Sequence, residues 1–142
     1  MIEKTASARW TGGLRDGQGQ ITTQSGVLTN ERYGFATRFE GGPGTNPEEL
    51  VAASHASCFS MALSMVLGQS ELTADSIETE AKVSLEEVAD GYAVTRSHLT
   101  VKARIPDATP EQFREAAEAA KANCPISKLL TAEITMDATL EE

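Results

Sequence analysis

Basic residues are scarce in this 142-residue chain: 12 Lys and Arg stand against 21 Asp and Glu, for a formal charge of −9. A phosphate backbone would repel such a surface, which excludes nucleic acid as a partner. The first ten residues, MIEKTASARW, hold no apolar run of the signal-peptide kind, so a cytoplasmic protein is expected. Cysteine is limited to Cys58 and Cys124, and histidine to His55 and His98. In a reducing compartment two thiols do not serve as a permanent staple, and they point to catalysis, redox cycling or metal binding. No Cys-x-x-Cys pair is present, so a zinc site would have to gather all four of these scattered side chains, against the usual ligand spacing. No repeat, low-complexity tract or linker divides the chain, and its length suits one domain, residues 1–142, with a real core.

What is present is one long uncharged stretch, Asn46 to Leu67, NPEELVAASHASCFSMALSMVL. Asn46 is a good N-cap, Pro47 suits the first helical position, and Glu48 and Glu49 put negative charge at the favourable end of the helix dipole. From Leu50 to Leu67 there is no Asp, Glu, Lys or Arg, and apolar residues occur all round the wheel, the pattern of a buried helix. The length also approaches that of a membrane span. Ser54, Ser57, Ser60, Ser64 and His55 dilute the apolarity, however, and Glu rather than Lys or Arg flanks both ends. The stretch reads as the central helix of a soluble domain.

Residues 3–10 and 19–24 have strand character around the turn residues Gly12-Gly13 and Asp16-Gly17. Tyr33 to Phe39 alternates as a strand, with Arg38 leaving on the face opposite the aromatics. A glycine-rich loop, residues 40–45, leads to Asn46, and Gly68 is placed to cap the helix at its far end. Ile77 to Val88 and Tyr92 to about Ile105 form a hairpin about Asp90-Gly91, with a parity change that suggests a bulge near Ser97-His98. Thr109-Pro110-Glu111-Gln112 is a capping box opening a helix to Asn123. Pro125 then begins a short helix that places Cys124 where a helix dipole favours a thiolate. A strand from Glu133 to Leu140 closes the chain. The fold class is α+β, mostly antiparallel sheets around a buried central helix.

Cys58 lies in the middle of that helix, where a thiol is ordinarily a small hydrophobe. A Cys–His hydrolase would need His55 or His98 as base, and neither stands in a nucleophile-elbow context; His55 reads as a hydrogen-bonded residue of the helix packing. Thiol redox chemistry needs a thiolate that attacks an O–O bond and a second thiol that condenses with the sulfenic acid. It also needs a cation to depress the first thiol's pKa and a group to hold that cation. Cys58, Cys124, Arg38 and Glu48 meet that list.

The stretches SGVLTNERYGFATRFEGGPGTNPEELVAASHASCFSMALS and AKANCPISKLLTAEITM carry a resemblance over essentially the whole chain. The sequence resembles the osmotically inducible protein C (OsmC) branch of the OsmC/organic-hydroperoxide-resistance family. The resemblance implies a thiol-dependent peroxidase acting on organic hydroperoxides, built as an intertwined α+β homodimer. By position, Cys58 in HASCFSMAL matches the peroxidatic cysteine and Cys124 in NCPIS the resolving one. Arg38 in TRFEGG matches the active-site arginine and Glu48 the carboxylate that holds it; the sister branch takes its arginine from an earlier segment, nearer Arg15. The resemblance also implies a disulfide reduced by an external dithiol, with no metal, haem or flavin. A non-catalytic redox sensor or ligand-binding module on the same scaffold is the alternative, separated from a peroxidase by continuous turnover. Glu48 and Cys58 are ten residues apart, about 15 Å and about 80° on a straight helix. Arg38 must therefore bridge the gap, the helix must break, or a partner chain must present the Arg38–Glu48 pair.

Overall fold

The turn residues near the N-terminus fold as their chemistry requires. Strand β1 (Ala6–Thr11) pairs antiparallel with β2 (Gln18–Thr23), which pairs antiparallel with β3 (Glu31–Tyr33). Gly12 turns with φ +93°, and a Cβ on Gly17 would lie 2.3 Å from the Gly13 carbonyl oxygen. This computed structural model describes residues 1–142 and divides them into two units, Met1–Leu50 and Val51–Glu142.

The alternating segment after β3 is a helix, contrary to its strand-like pattern: α1 runs Phe35–Phe39. Thr37 closes the turn on itself, its hydroxyl accepting from the Gly34 amide at 2.9 Å and donating to the Gly34 carbonyl at 3.0 Å. Phe35 and Phe39 also satisfy helical i, i+4 spacing, with ring centroids 4.9 Å apart. Arg38 therefore projects from a helix. The following loop needs glycine at Gly44, whose φ of +125° would put a Cβ 2.6 Å from the Arg32 carbonyl oxygen.

Helix α2 spans Pro47–Gln69. Asn46 caps it, its side-chain oxygen accepting from the Glu49 amide at 2.7 Å. The helix runs through Gly68 rather than stopping there, and the turn that ends it is made by Glu71 at φ 59°. Burial is one-sided within the chain. His55, Phe59, Leu63 and Leu67 are buried at i, i+4 spacing, whereas Ala53, Ser54, Ser57, Met61, Ser64 and Met65 are exposed. By length and composition α2 could cross a membrane, but its buried face is taken by a protein core.

That core lies on one sheet of order β4-β5-β6. Strands β4 (Ser76–Val88) and β5 (Gly91–Arg104) form the hairpin, turning at Ala89-Asp90 with Gly91 at φ +127°. Ser84 faces Arg96 and Leu85 faces Val94, so Thr95 is the extra residue of the bulge. It sits two residues before the position that parity suggests. Beyond it Ser97, Leu99, Val101 and Ala103 all point inward. Strand β6 (Glu133–Glu141) joins β5 in parallel, which requires a crossover. Helices α3 (Pro110–Asn123) and α4 (Pro125–Leu129) supply it. The Thr109 capping box forms as expected, with both reciprocal bonds made at 2.9 and 3.1 Å. Phe59, Leu63 and Leu67 of α2 meet Leu99 and Val101 of β5 and Phe113, Ala116 and Ala120 of α3. Each large side chain so buried contributes about 1.5–3 kcal/mol.

Candidate active site

Two cysteines distant in sequence meet in the second unit. Cys58 is on α2 and half-buried; Cys124 ends α3, caps α4 and is fully buried. Both thiols are free. Burial raises the Cys58 thiol above its usual range, the Ile126 amide opposes this, and Cys124 reinforces it. Burial acts the same way on Cys124 but is overcome there. The Ser127 hydroxyl and amide, then the Cys58 thiol and the Ile126 amide, pull Cys124 down. Ser127 N donates to Cys124 Sγ at 3.4 Å and Ser127 Oγ at 3.5 Å. Within this pair Cys124 is the better home for a negative charge, and Cys58 acts as a donor towards it.

His55, one turn before Cys58, is completely buried. Its Nδ1 meets Ser97 Oγ at 2.7 Å and its Nε2 meets Ser127 Oγ at 2.9 Å. Burial holds the imidazole below its usual pKa, so it is neutral at pH 7. It is a satisfied core histidine, as the sequence suggests. His98 lies on β5, its Nδ1 2.5 Å from Thr135 Oγ1 and its Nε2 3.0 Å from Asp137 Oδ2. No three His, Cys, Asp or Glu side chains are gathered where they could hold a metal ion.

The other predicted pair is made within the first unit. Arg38 Nε and Nη2 grip Glu48 Oε1 and Oε2 at 2.8 and 2.9 Å, a fork-to-fork ion pair. Thr45 secures the neighbouring Glu49 at 2.8 Å, and Asn46 Nδ2 donates to the Thr37 carbonyl at 3.1 Å. The α1 turn and the start of α2 are thereby tied together, which fixes the Arg38 backbone. A cleft of about 230 Å³ opens beside Arg38, walled by Trp10, Leu14, Tyr33, Phe35 and Phe39. Arg15 stacks on the Phe35 ring, its guanidinium carbon 4.5 Å from the centroid, whereas Arg38 holds Glu48.

The model of the OsmC-like protein family matches residues 40–139. The peroxiredoxin OsmC of Escherichia coli (strain K12) is 48% identical over 140 residues, covering 99% of this chain and 98% of that protein. The chain belongs to the OsmC-like family. The solved organic hydroperoxide resistance protein OhrB of Bacillus subtilis superposes with a TM-score of 0.68 at 31% identity, covering 96% of this chain and 98% of that one. An OsmC-like protein of unknown function from Vibrio cholerae superposes at 0.79 with 17% identity, covering 97% and 99% respectively, a likeness of fold.

The four residues singled out from the sequence of this OsmC-like chain thus occur as two pairs, one in each unit. Two further residues escaped that reading. Ser97 and Ser127 converge on His55 from 42 and 72 residues away, and an isolated serine carries no local signal of such a partner. The Cys-Pro-x-Ser spacing was the available clue, since a serine three residues after an N-cap is within reach of it.

Proposed function

We propose that Cys58 is the peroxidatic thiol and Cys124 the resolving thiol of a hydroperoxide-reducing cycle, completed in a homodimer by an Arg38–Glu48 pair from the partner chain. The reaction class rests on the family. The chain is a cysteine-dependent hydroperoxide peroxidase, 48% identical over nearly its whole length to a peroxiredoxin and 37% identical over 112 residues to an organic hydroperoxide resistance protein.

One observation carries the residue assignment: the half-exposed Cys58 lies against the sealed Cys124, whose sulfur accepts from the Ser127 amide and hydroxyl. In the proposed cycle the Cys58 thiolate attacks the terminal oxygen of an organic hydroperoxide. The O–O bond breaks, the alkoxide takes a proton and leaves as the alcohol, and Cys58 becomes a sulfenic acid. The Cys124 thiolate then attacks that sulfur, a disulfide forms, and the hydroxide leaves as water. An external dithiol of the cytoplasm restores both thiols, with no resident cofactor.

Cys58 needs help to ionise, because in the isolated pair the charge favours Cys124. A guanidinium beside Cys58 would reverse that preference. The fork on Glu48 orients the arginine, and the aromatic cleft beside it suits the hydrocarbon part of an organic hydroperoxide. Glu48 and Cys58 are ten residues apart in the chain, about 15 Å on a straight helix, and this spacing supports a pair supplied by the partner chain. The exposed Ala, Ser and Met face of α2 is the surface on which a second copy would pack.

Mixed dimers test the arrangement. Cys58→Ser and Arg38→Ala homodimers should both fail to turn over cumene hydroperoxide with dithiothreitol. Heterodimers of the two should recover one working site. No recovery in heterodimers of proven composition places the arginine in its own chain, and a monomeric protein in solution sinks the interface altogether.

A further inference from the structure

Three buried polar side chains from separate elements form a hydrogen-bonded chain that ends at Cys124: Ser97 of β5 meets His55 of α2, His55 meets Ser127 of α4, and Ser127 meets Cys124. Ser97 and His55 are fully enclosed and Ser127 nearly so, at 7% exposure. Placing three polar groups in a core costs free energy unless each finds a partner, and none of their buried polar atoms is left without one.

The network has one consistent direction. Ser127 has a single hydroxyl proton, which it donates when the Cys124 sulfur, 3.5 Å from its oxygen, is the acceptor. Its oxygen must then accept from His55, so Nε2 carries the imidazole proton. A neutral imidazole has only one N–H, which leaves Nδ1 an acceptor for the Ser97 hydroxyl. Ser97 therefore donates to His55, His55 to Ser127, and Ser127 to Cys124. Every link delivers a proton towards the sulfur, which suits an anion at the end of the chain.

We propose that Ser127, oriented by His55 and Ser97, is a positioning residue that holds negative charge on Cys124 as the Cys58–Cys124 disulfide is opened by a dithiol. This rests on the peroxidase reading above and specifies its reductive half. Cys124 has no exposed surface, so an incoming thiolate reaches Cys58. Its sulfur bonds to Cys58 Sγ, the Cys58–Cys124 bond breaks, and the electron pair departs onto Cys124 Sγ. The Ser127 hydroxyl and amide receive it there. The reductant's second thiol then attacks its own sulfur, releases Cys58 as thiolate and leaves as an intramolecular disulfide. The two protons of the dithiol return the enzyme's sulfurs to their resting protonation through solvent. A thiol leaves faster the lower its pKa, and Ser127 opposes the burial that would otherwise raise Cys124.

The test begins with wild-type protein oxidised by one equivalent of cumene hydroperoxide, the bridge being verified by non-reducing mass mapping. Reduction of that isolated disulfide by dithiothreitol is then timed in wild type, Ser127→Ala and Ser127→Thr. Ser127→Ala should be slower by about threefold, a rise of about one pKa unit in the leaving thiol being expressed only in part in the exchange rate, while Ser127→Thr, which keeps the hydroxyl, should recover most of the rate. His55→Phe, which fills the imidazole's space without its hydrogen bonds, should be slowed in the same direction, and it keeps the test alive if Ser127→Ala does not fold. A monothiol should be trapped on Cys58. Absence of the bridge in wild type overturns the peroxidase reading and this inference with it. A bridge that Ser127→Ala opens at the wild-type rate, a Thr variant as slow as Ala, or a monothiol trapped on Cys124 overturns this inference alone.

Discussion

Replacing Arg38 by Ala should depress peroxidase activity about 100-fold at pH 7 and less at higher pH. The guanidinium offers roughly five N–H donors, of which Nε and Nη2 are engaged by Glu48 at 2.8 and 2.9 Å. The rest of the fork remains available to a sulfur anion or a peroxide oxygen, its positive charge offset in part by Glu48. Cys58 has the opposite inclination, since burial and the neighbouring Cys124 push its thiol up. An opposite charge within about 4–6 Å moves a pKa by about 1–3 units, and each unit changes the thiolate fraction about tenfold below the pKa. Two units give the hundredfold. The assay is consumption of cumene hydroperoxide with excess dithiothreitol, run from pH 6.5 to 9.5 for wild type, Arg38→Ala and Arg38→Lys. The deficit of Arg38→Ala should shrink as the pH approaches the raised thiol pKa, where ionisation no longer needs the cation. Arg38→Lys should fall between the two, having charge but no fork for Glu48. A loss that stays constant with pH would mean that Arg38 acts on substrate alone, and unaltered activity would hand the role to Arg15.

Cys124→Ser should react once with hydroperoxide and then stall or over-oxidise, because no thiol remains to condense with the Cys58 sulfenic acid; sustained turnover with dithiothreitol would contradict its role. Folding stability should fall as the pH drops through about 6.5, the ordinary imidazole value. Below it the unfolded chain takes up a proton at His55 that the buried, lowered imidazole refuses, so stability is lost as acid is added, by at most about 1.4 kcal/mol per pH unit. Urea titrations should show a flatter slope for His55→Phe, and an unchanged slope would refute the linkage. Phe59→Ala, removing a side chain with no exposed surface, should cost about 3–5 kcal/mol in the same urea assay.

Local chemistry was legible in the sequence wherever a few adjacent residues decide it. The Thr109 capping box and the Asn46-Pro47 helix start each settle their own backbone and formed where expected, and the hairpin expected about Asp90-Gly91 turns one residue earlier, at Ala89-Asp90, with Gly91 already paired to Val88. Arg38 was misplaced on a strand because five residues cannot distinguish the two periods. Phe35, Thr37 and Phe39 alternate, yet Phe35 and Phe39 equally match a helical repeat, and Thr37 hydrogen-bonding to Gly34 decided it. The parallel direction of β6 follows from the α3–α4 crossover, not from anything in Glu133–Glu141. The one-sided burial of α2 was likewise hidden, since composition reports how apolar a face is and not which chain covers it. At the site, the resemblance implies that Glu48 holds Arg38 and that Cys58 works with Cys124, but the approach of the two thiols is not readable from spacing. Ser97 and Ser127 were missed, because they matter only through a histidine that the fold brings to them.

The extra residue at Thr95 also sets how this hairpin can change length over evolution. Residues between Val88 and Thr95 lie on the exposed tip side of the bulge, where gaining or losing a residue can be taken up by the irregularity already there. From Ser97 onward the same event would invert the strand's parity. Leu99, Val101 and Ala103 would turn outward, and Ser97 would leave His55. Insertions and deletions among relatives should therefore collect before residue 95 and be nearly absent from 97 to 104, a boundary drawn by one threonine that the β4–β5 register leaves out.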